Sequence, residues 1–148
     1  MAGFKGQAEY SVDSKGRVAV PAKMRNALKP EAKNTFTLTR GFEKCIFMYP
    51  QDHWEQMESD IGTLNTYRSE TRDFIRGILM WAEEVTLDGQ GRIGVPRTLA
   101  EFAGIGERAL MIGALDHIEI WNPESFQHYL EGQEIDYETL AERVMGRE

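Results

Sequence analysis

Residues 10–21 read Tyr-Ser-Val-Asp-Ser-Lys-Gly-Arg-Val-Ala-Val-Pro, and residues 85–96 read Val-Thr-Leu-Asp-Gly-Gln-Gly-Arg-Ile-Gly-Val-Pro. Asp, Gly, Arg, Val and Pro keep their spacing in the two copies of this motif, which start 75 residues apart. In each copy two apolar runs flank a polar, glycine-containing turn, and a proline follows. This pattern is typical of a strand, a tight turn, a second strand and a helix start. The duplicated motif therefore decides the fold.

Similar elements are predicted after each copy of the motif. Residues 9–20 are predicted as a β-hairpin, followed by a helix over 21–28, strands over 36–40 and 45–49, and a helix from Pro50. After the second copy we expect a helix over 96–103, strands over 109–113 and 117–121, and a helix from Pro123. Ile46, Met48 and Trp54 align with Ile118, Ile120 and Phe126 at a constant offset of 72, so the repeat extends well beyond the turns.

These elements predict an α+β fold in two halves. We place the first half at residues 1–62 and the second at 83–131. An amphipathic helix within 63–82 connects them, and residues 132–148 form an acidic tail with enough apolar residues for one further helix.

The charge is unevenly distributed. The 148 residues carry a net charge of −7, but residues 1–30 carry +4 and the remainder −11. Salt screens charges over about 8 to 10 Å, so an anion near the first turn meets mainly the local basic cluster. The overall acidity therefore does not exclude a nucleic-acid partner.

Several other classes of protein are not supported. No apolar run is long enough for a membrane helix, and the N-terminus lacks the apolar core of a signal peptide, so we expect a soluble, cytoplasmic protein. The single cysteine, Cys45, is expected to be a buried thiol. The three histidines are scattered, and no nucleotide-binding or nucleophile motif is present. We therefore expect neither an enzyme, a metal site, a cofactor nor a small-molecule substrate.

The motif Asp-x-x-Gly-Arg with a proline four residues beyond the arginine, present twice in a chain of this length, resembles the MraZ family of bacterial transcriptional regulators. The resemblance implies two tandem AbrB-like swapped-hairpin repeats (β-β-α-β-β-α) in one pseudo-dimeric, β-barrel-like domain with peripheral helices. It also implies ring oligomers, octamer-like or larger. Such rings bind short tandem G-rich repeats in double-stranded promoter DNA and repress their own promoter and the division and cell-wall gene cluster. A nucleoid-associated location follows.

The resemblance places the DNA contact on Arg17, and the local charge adds Lys15, Lys23 and Arg25. Arg92, in the second copy, is open to either a DNA-binding or a structural role, because Gln90 replaces the lysine of the first copy. An arginine on a β-ribbon in the major groove can contact guanine O6 and N7. The alternative is that each arginine pairs internally with the aspartate of its turn.

The remaining motif residues are expected to shape the turns and helix starts; they are Asp13, Gly16, Pro21, Asp88, Gly91 and Pro96. An opposing hypothesis for the whole chain is a ring-forming protein-interaction scaffold without sequence-specific DNA binding.

Overall fold

A computed structural model describes residues 2–146. The outer limits of the predicted first half and of the predicted tail, at residues 1 and 148, lie outside the described residues. The strands are β1 Gln7–Ser11, β2 Arg17–Ala19, β3 Thr35–Arg40, β4 Ile46–Pro50, β5 Glu83–Thr86, β6 Arg92–Gly94, β7 Arg108–Gly113 and β8 Ile118–Trp121. The helices are α1 Ala22–Arg25, α2 Gln51–Ile61, α3 Ser69–Leu79, α4 Arg97–Ala103, α5 Pro123–Glu131 and α6 Tyr137–Met145, with a 3-10 turn at Pro30–Ala32.

The strands form a six-stranded antiparallel sheet and a separate two-stranded ribbon. The order in the sheet is β1-β7-β8-β4-β3-β5, and the ribbon pairs β2 with β6. The predicted α+β class is confirmed. The division into segments at residues 62 and 83 stays a prediction.

Each half contributes its first strand to the other half. Strand β1 pairs with β7, and β5 pairs with β3, so the outermost strands of the sheet are exchanged. The ribbon likewise takes one strand from each half. As a result the two halves share their backbone hydrogen bonds.

The predicted hairpin over residues 9–20 needs correction. The chain does reverse at the turn, where the Asp13 N–H donates to the Arg17 carbonyl over 2.9 Å. The flanking strands nevertheless lie in different sheets, β1 beside β7 and β2 beside β6. The alternation of apolar residues identifies the buried face of a strand but not its hydrogen-bonding partner.

The six-stranded sheet is covered on both faces. In β4, Ile46 and Met48 belong to one buried cluster, together with Val18 and Ile93 of the ribbon. Phe47 and Tyr49 alternate with them and join a second cluster under α2, α3 and α5. The ribbon and α3 therefore lie on opposite sides of the sheet. No helix within residues 2–146 is long and apolar enough to cross a membrane.

Candidate nucleic-acid interface

The ribbon made by β2 and β6 has one buried and one open face. Val18 and Ile93 face each other across the ribbon, and each is only 1% exposed. Successive strand residues point to opposite faces, so their neighbours point outward. The outer face of the ribbon carries two facing pairs: Arg17 with Gly94, and Ala19 with Arg92. Two arginines thus lie diagonally across a surface whose other positions have almost no side chain.

The turn before each arginine is closed by its aspartate. Asp13 Oδ1 accepts the backbone N–H groups of Lys15 and Arg17, each over 2.9 Å. Asp88 Oδ1 makes the same two contacts in the second copy, also at 2.9 Å. Glycine completes each turn, because Gly16 has φ +78° and Gly91 has φ +74°, which other residues adopt only with strain.

Both arginines pair with their aspartates through Nε. Arg17 Nε lies 2.7 Å from Asp13 Oδ2, and Arg92 Nε lies 2.9 Å from Asp88 Oδ2. The Nη end of Arg17 makes no hydrogen bond to the part of the chain that the structure describes. The ion pair therefore holds the arginine while leaving the end that can contact a base free.

The two arginines are not equivalent. Arg92 Nη1 also lies 3.7 Å from Asp13 Oδ2, which links the second copy to the first. The side chain of Arg17 is 38% exposed and that of Arg92 is 28% exposed. Arg17 is therefore the freer of the two to meet a ligand.

The aspartates also neutralise part of the charge. The backbone N–H of Arg17 is the largest influence on Asp13 and holds the pKa of its carboxyl below the ordinary value, while the Arg92 N–H does the same for the pKa of Asp88. Both carboxyl groups are thus ionised at neutral pH and balance the two arginines. Attraction for phosphate must come from other residues nearby.

Arg25 lies at the second turn, although it belongs to the first half. Its Nε donates to the carbonyl of Val20 over 2.9 Å. A Cβ added to Gly91 would stand only 2.8 Å from Arg25 Cζ. The position equivalent to Arg25 in the second half is Ala100, so the first turn has no such cover. Arg25 thus supplies a cation to the copy that lacks the lysine.

The other predicted site residues are spread around the ribbon. Lys15 is exposed on the first turn. Lys23 is on the exposed side of α1, where it lines a shallow pocket with Gly3, Phe4 and Lys5. Pro21 and Pro96 directly precede α1 and α4 as the pattern requires.

Sequence reasoning missed Ala19 and Gly94 as members of the site. They occupy the same position in the two copies, two residues after the arginine. The signal was a small residue at the outward position of both second strands. Within residues 2–146 no group of three or more His, Cys, Asp or Glu side chains could hold a metal ion.

Fold and site together define a tandem-repeat α+β protein in which both repeats build one exposed ribbon. The family described as "MraZ protein, putative antitoxin-like" matches residues 4–77 and again 78–148. The chain belongs to this family, which confirms the resemblance inferred from the motif.

Three relatives are each called "Transcriptional regulator MraZ". That of Natranaerobius thermophilus is 39% identical over 142 residues, and that of Syntrophomonas wolfei is 38% identical over 142 residues; both matches cover 96% of each chain. That of Roseiflexus sp. is 36% identical over 141 residues, covering 95% of this chain and 96% of the relative. These names describe regulators and not enzymes, in agreement with the lack of a catalytic motif.

Proposed function

We propose that this chain is a DNA-binding transcriptional regulator that contacts duplex DNA with the outer face of the ribbon. The observation that carries the proposal is the register of β2 and β6, which sets Arg17 opposite Gly94 and Arg92 opposite Ala19. A two-stranded ribbon fits the major groove of B-DNA. The small residues let its backbone approach the base edges between the two arginines.

Arg17 is the principal base contact in this proposal. Asp13 occupies its Nε, so Nη1 and Nη2 can face guanine O6 and N7 together. The ion pair and the DNA contact, treated as alternatives from the sequence, are therefore compatible. Arg92 contributes less because Asp13 lies close to its Nη1.

Lys15, Lys23 and Arg25 serve the phosphates. Lys15 and Lys23 are exposed, and Arg25 is partly exposed beside the second turn. Such contacts add affinity, and they make it fall as salt rises because bound counterions are released.

The test is binding of the protein to its own upstream region in mobility-shift assays, with wild type, Arg17→Ala and Arg76→Ala compared. Arg76 is a matched control, since it pairs with Asp73 on α3, on the opposite side of the sheet from the ribbon. Loss of one bidentate contact costs about 1–3 kcal/mol, so Arg17→Ala should bind the specific sequence about 5- to 150-fold more weakly. Equal binding by Arg17→Ala and wild type would contradict the assignment.

We further propose that copies assemble into a ring, octamer-like or larger, that binds short tandem G-rich repeats in its own promoter. The ring would act as a repressor of that promoter and of the division and cell-wall gene cluster, on the nucleoid. One ribbon on one site makes few contacts, whereas several ribbons on tandem sites gain about 10²- to 10⁴-fold through effective concentration. Equal affinity for one isolated site and for a tandem array would contradict this proposal.

We also propose that the exchanged strands represent the AbrB-like swapped-hairpin arrangement, in one pseudo-dimeric, β-barrel-like domain with peripheral helices. The pairing of β1 with β7, β5 with β3 and β2 with β6 supports it, because each pair joins opposite halves.

The competing function is a protein-interaction scaffold that does not recognise a DNA sequence. The observation in its favour is an exposed apolar groove on the opposite side of the sheet from the ribbon. If Arg17→Ala disrupted the oligomer and left DNA binding unchanged, Arg17 would belong to a subunit interface and the scaffold would be favoured.

A further inference from the structure

Helix α6 has an apolar stripe that the chain itself leaves largely uncovered. Tyr137, Leu140, Ala141 and Val144 recur at i, i+3, i+4 and i+7, on one side of the helix. Tyr137 is 79% exposed and Val144 is 78% exposed. Leu140 faces α5 across an open cleft of about 520 Å³. A nine-residue helix is marginal on its own, so this stripe calls for a partner.

An apolar groove lies between α3 and the strands of the first half. Its volume is about 280 Å³, and its apolar lining consists of Phe42, Phe47, Tyr49, Met57, Phe74 and Ile78. Phe42 remains 81% exposed and Phe74 46% exposed, although aromatic side chains contribute most when they are buried. A stripe at i, i+3, i+4 and i+7 is the pattern by which a helix occupies such a groove.

The charges of the groove and of α6 are complementary. Arg40 lines the groove, and its Cζ lies 4.6 Å from the ring centre of Phe102; Lys44 lies 5.2 Å from the same ring. Neither cation has a carboxylate within ion-pair distance among residues 2–146. Glu138 and Glu142 adjoin the stripe of α6 and are likewise without a cation in the described part of the chain.

The wider tail has the same sign. Residues 131–146 contain five acidic side chains and one basic one. Helix α3 follows the same place in the first half and packs on its own sheet, where Thr39 donates its hydroxyl to the Ile78 carbonyl over 2.6 Å. No strand contact of this kind holds α6 within residues 2–146.

We propose that α6 of one copy lies in the apolar groove of the next copy. Two different surfaces meet in such a contact, so each copy both gives a helix and receives one, and the chain of contacts closes into a ring when the rotation permits. The inference rests on the proposed ring and names the surfaces that build it. The groove lies on the opposite side of the sheet from the ribbon, which leaves every ribbon free for DNA.

The test mixes two defective variants and measures molar mass by light scattering after gel filtration. Val144→Asp places a carboxylate in the stripe, and Phe74→Asp places one in the groove. Each variant alone should lose the large assembly. Mixed in equal amounts, they should form a species of two chains, because one intact helix can still meet one intact groove.

Thr139→Asp is the matched control, since it adds the same group on the opposite side of α6 and should assemble as wild type does. Circular dichroism checks that the variants fold, and Phe42→Asp replaces Phe74→Asp if the latter does not. The inference is overturned if the variants assemble like wild type, or if the mixture stays monomeric because α6 binds another partner. Binding of each variant to a single-site duplex separates this failure from failure of the DNA-binding proposal.

Discussion

The guanidinium group of Arg25 lies directly over Gly91, a residue of the opposite half. An added Cβ at Gly91 would stand 2.8 Å from Arg25 Cζ, whereas one at Gly16, the equivalent glycine, would meet its nearest neighbour, the Val95 carbonyl, at 3.5 Å. The two copies of the motif therefore share one backbone shape but have different surroundings.

Alanine at the two glycines separates backbone strain from this contact. Both positions have a positive φ near 75°, so each substitution should lower the free energy of unfolding by about 1–2 kcal/mol. Gly91→Ala should cost about 1 kcal/mol more, because Arg25 must leave the Val20 carbonyl. Urea denaturation measures both values.

Arg25→Ala provides the control for this comparison. In that background the two glycine substitutions should cost the same, since no guanidinium covers Gly91. A difference that persisted without Arg25 would show that the contact is not its cause.

The carboxyl of Asp13 should make stability depend on acid pH. Its pKa is lowered in the folded chain, chiefly by the Arg17 N–H, relative to about 3.9 in an unfolded chain. Its contribution is therefore complete above the unfolded pKa and is lost as pH falls through the folded one. Asp13→Asn should be less stable than wild type at pH 7, and the difference should shrink in acid. A difference that stays constant down to pH 2 would contradict this cause; Asp73→Asn, at an exposed pair on α3, is the control.

His117 should have the opposite pH dependence. Burial alone lowers its pKa, but the carboxylates of Glu119 and Asp116 outweigh burial and raise it. Nδ1 lies 2.7 Å from Asp116 Oδ1, Nε2 lies 3.6 Å from Glu119 Oε2, and His53 lies 3.4 Å from Asp116 Oδ2. Tyr49 stacks nearby at 5.1 Å, and burial raises its pKa to about 12, so it remains neutral over the range tested.

A raised pKa means that the stabilisation is complete below the unfolded value of about 6.5 and is lost as pH rises through the folded pKa. Wild type should therefore lose stability from pH 6 to pH 9 relative to His117→Gln, measured by urea denaturation under reducing conditions. Parallel curves for the two proteins would contradict the predicted protonation of His117.

The sequence predicted most elements because their signals are local. Pro21 and Pro96 mark the helix starts, and alternation identified Val18 and Ile93 as inward residues. Cys45 is buried as expected. The pairing of β2 with β6 was not predicted, because alternation does not name a partner strand.

The contacts between the halves were also beyond local patterns. The approach of Arg25 to Gly91 and of Arg92 to Asp13 joins residues far apart in the chain. The composition of each copy shows that these side chains are charged, but only the ribbon register shows that they meet.

Leucine at Gly94 tests the central claim most directly. An added Cβ at Gly94 meets no atom within 4 Å, so the fold should accept the side chain, with stability unchanged or raised by about 0.5–1 kcal/mol. The leucine would nevertheless stand opposite Arg17 on the outer face of the ribbon and keep the backbone away from the bases.

The measurement is the affinity for upstream duplex DNA, by fluorescence anisotropy, of wild type, Gly94→Leu and Gln127→Leu. Gln127 is exposed on α5, on the opposite side of the sheet, and adds the same leucine as a control. Loss of a contact worth about 1–3 kcal/mol predicts that Gly94→Leu binds about 10-fold more weakly or worse, while Gln127→Leu binds as wild type does. A folded Gly94→Leu protein that binds as tightly as wild type would contradict the claim that the ribbon is the DNA-binding surface.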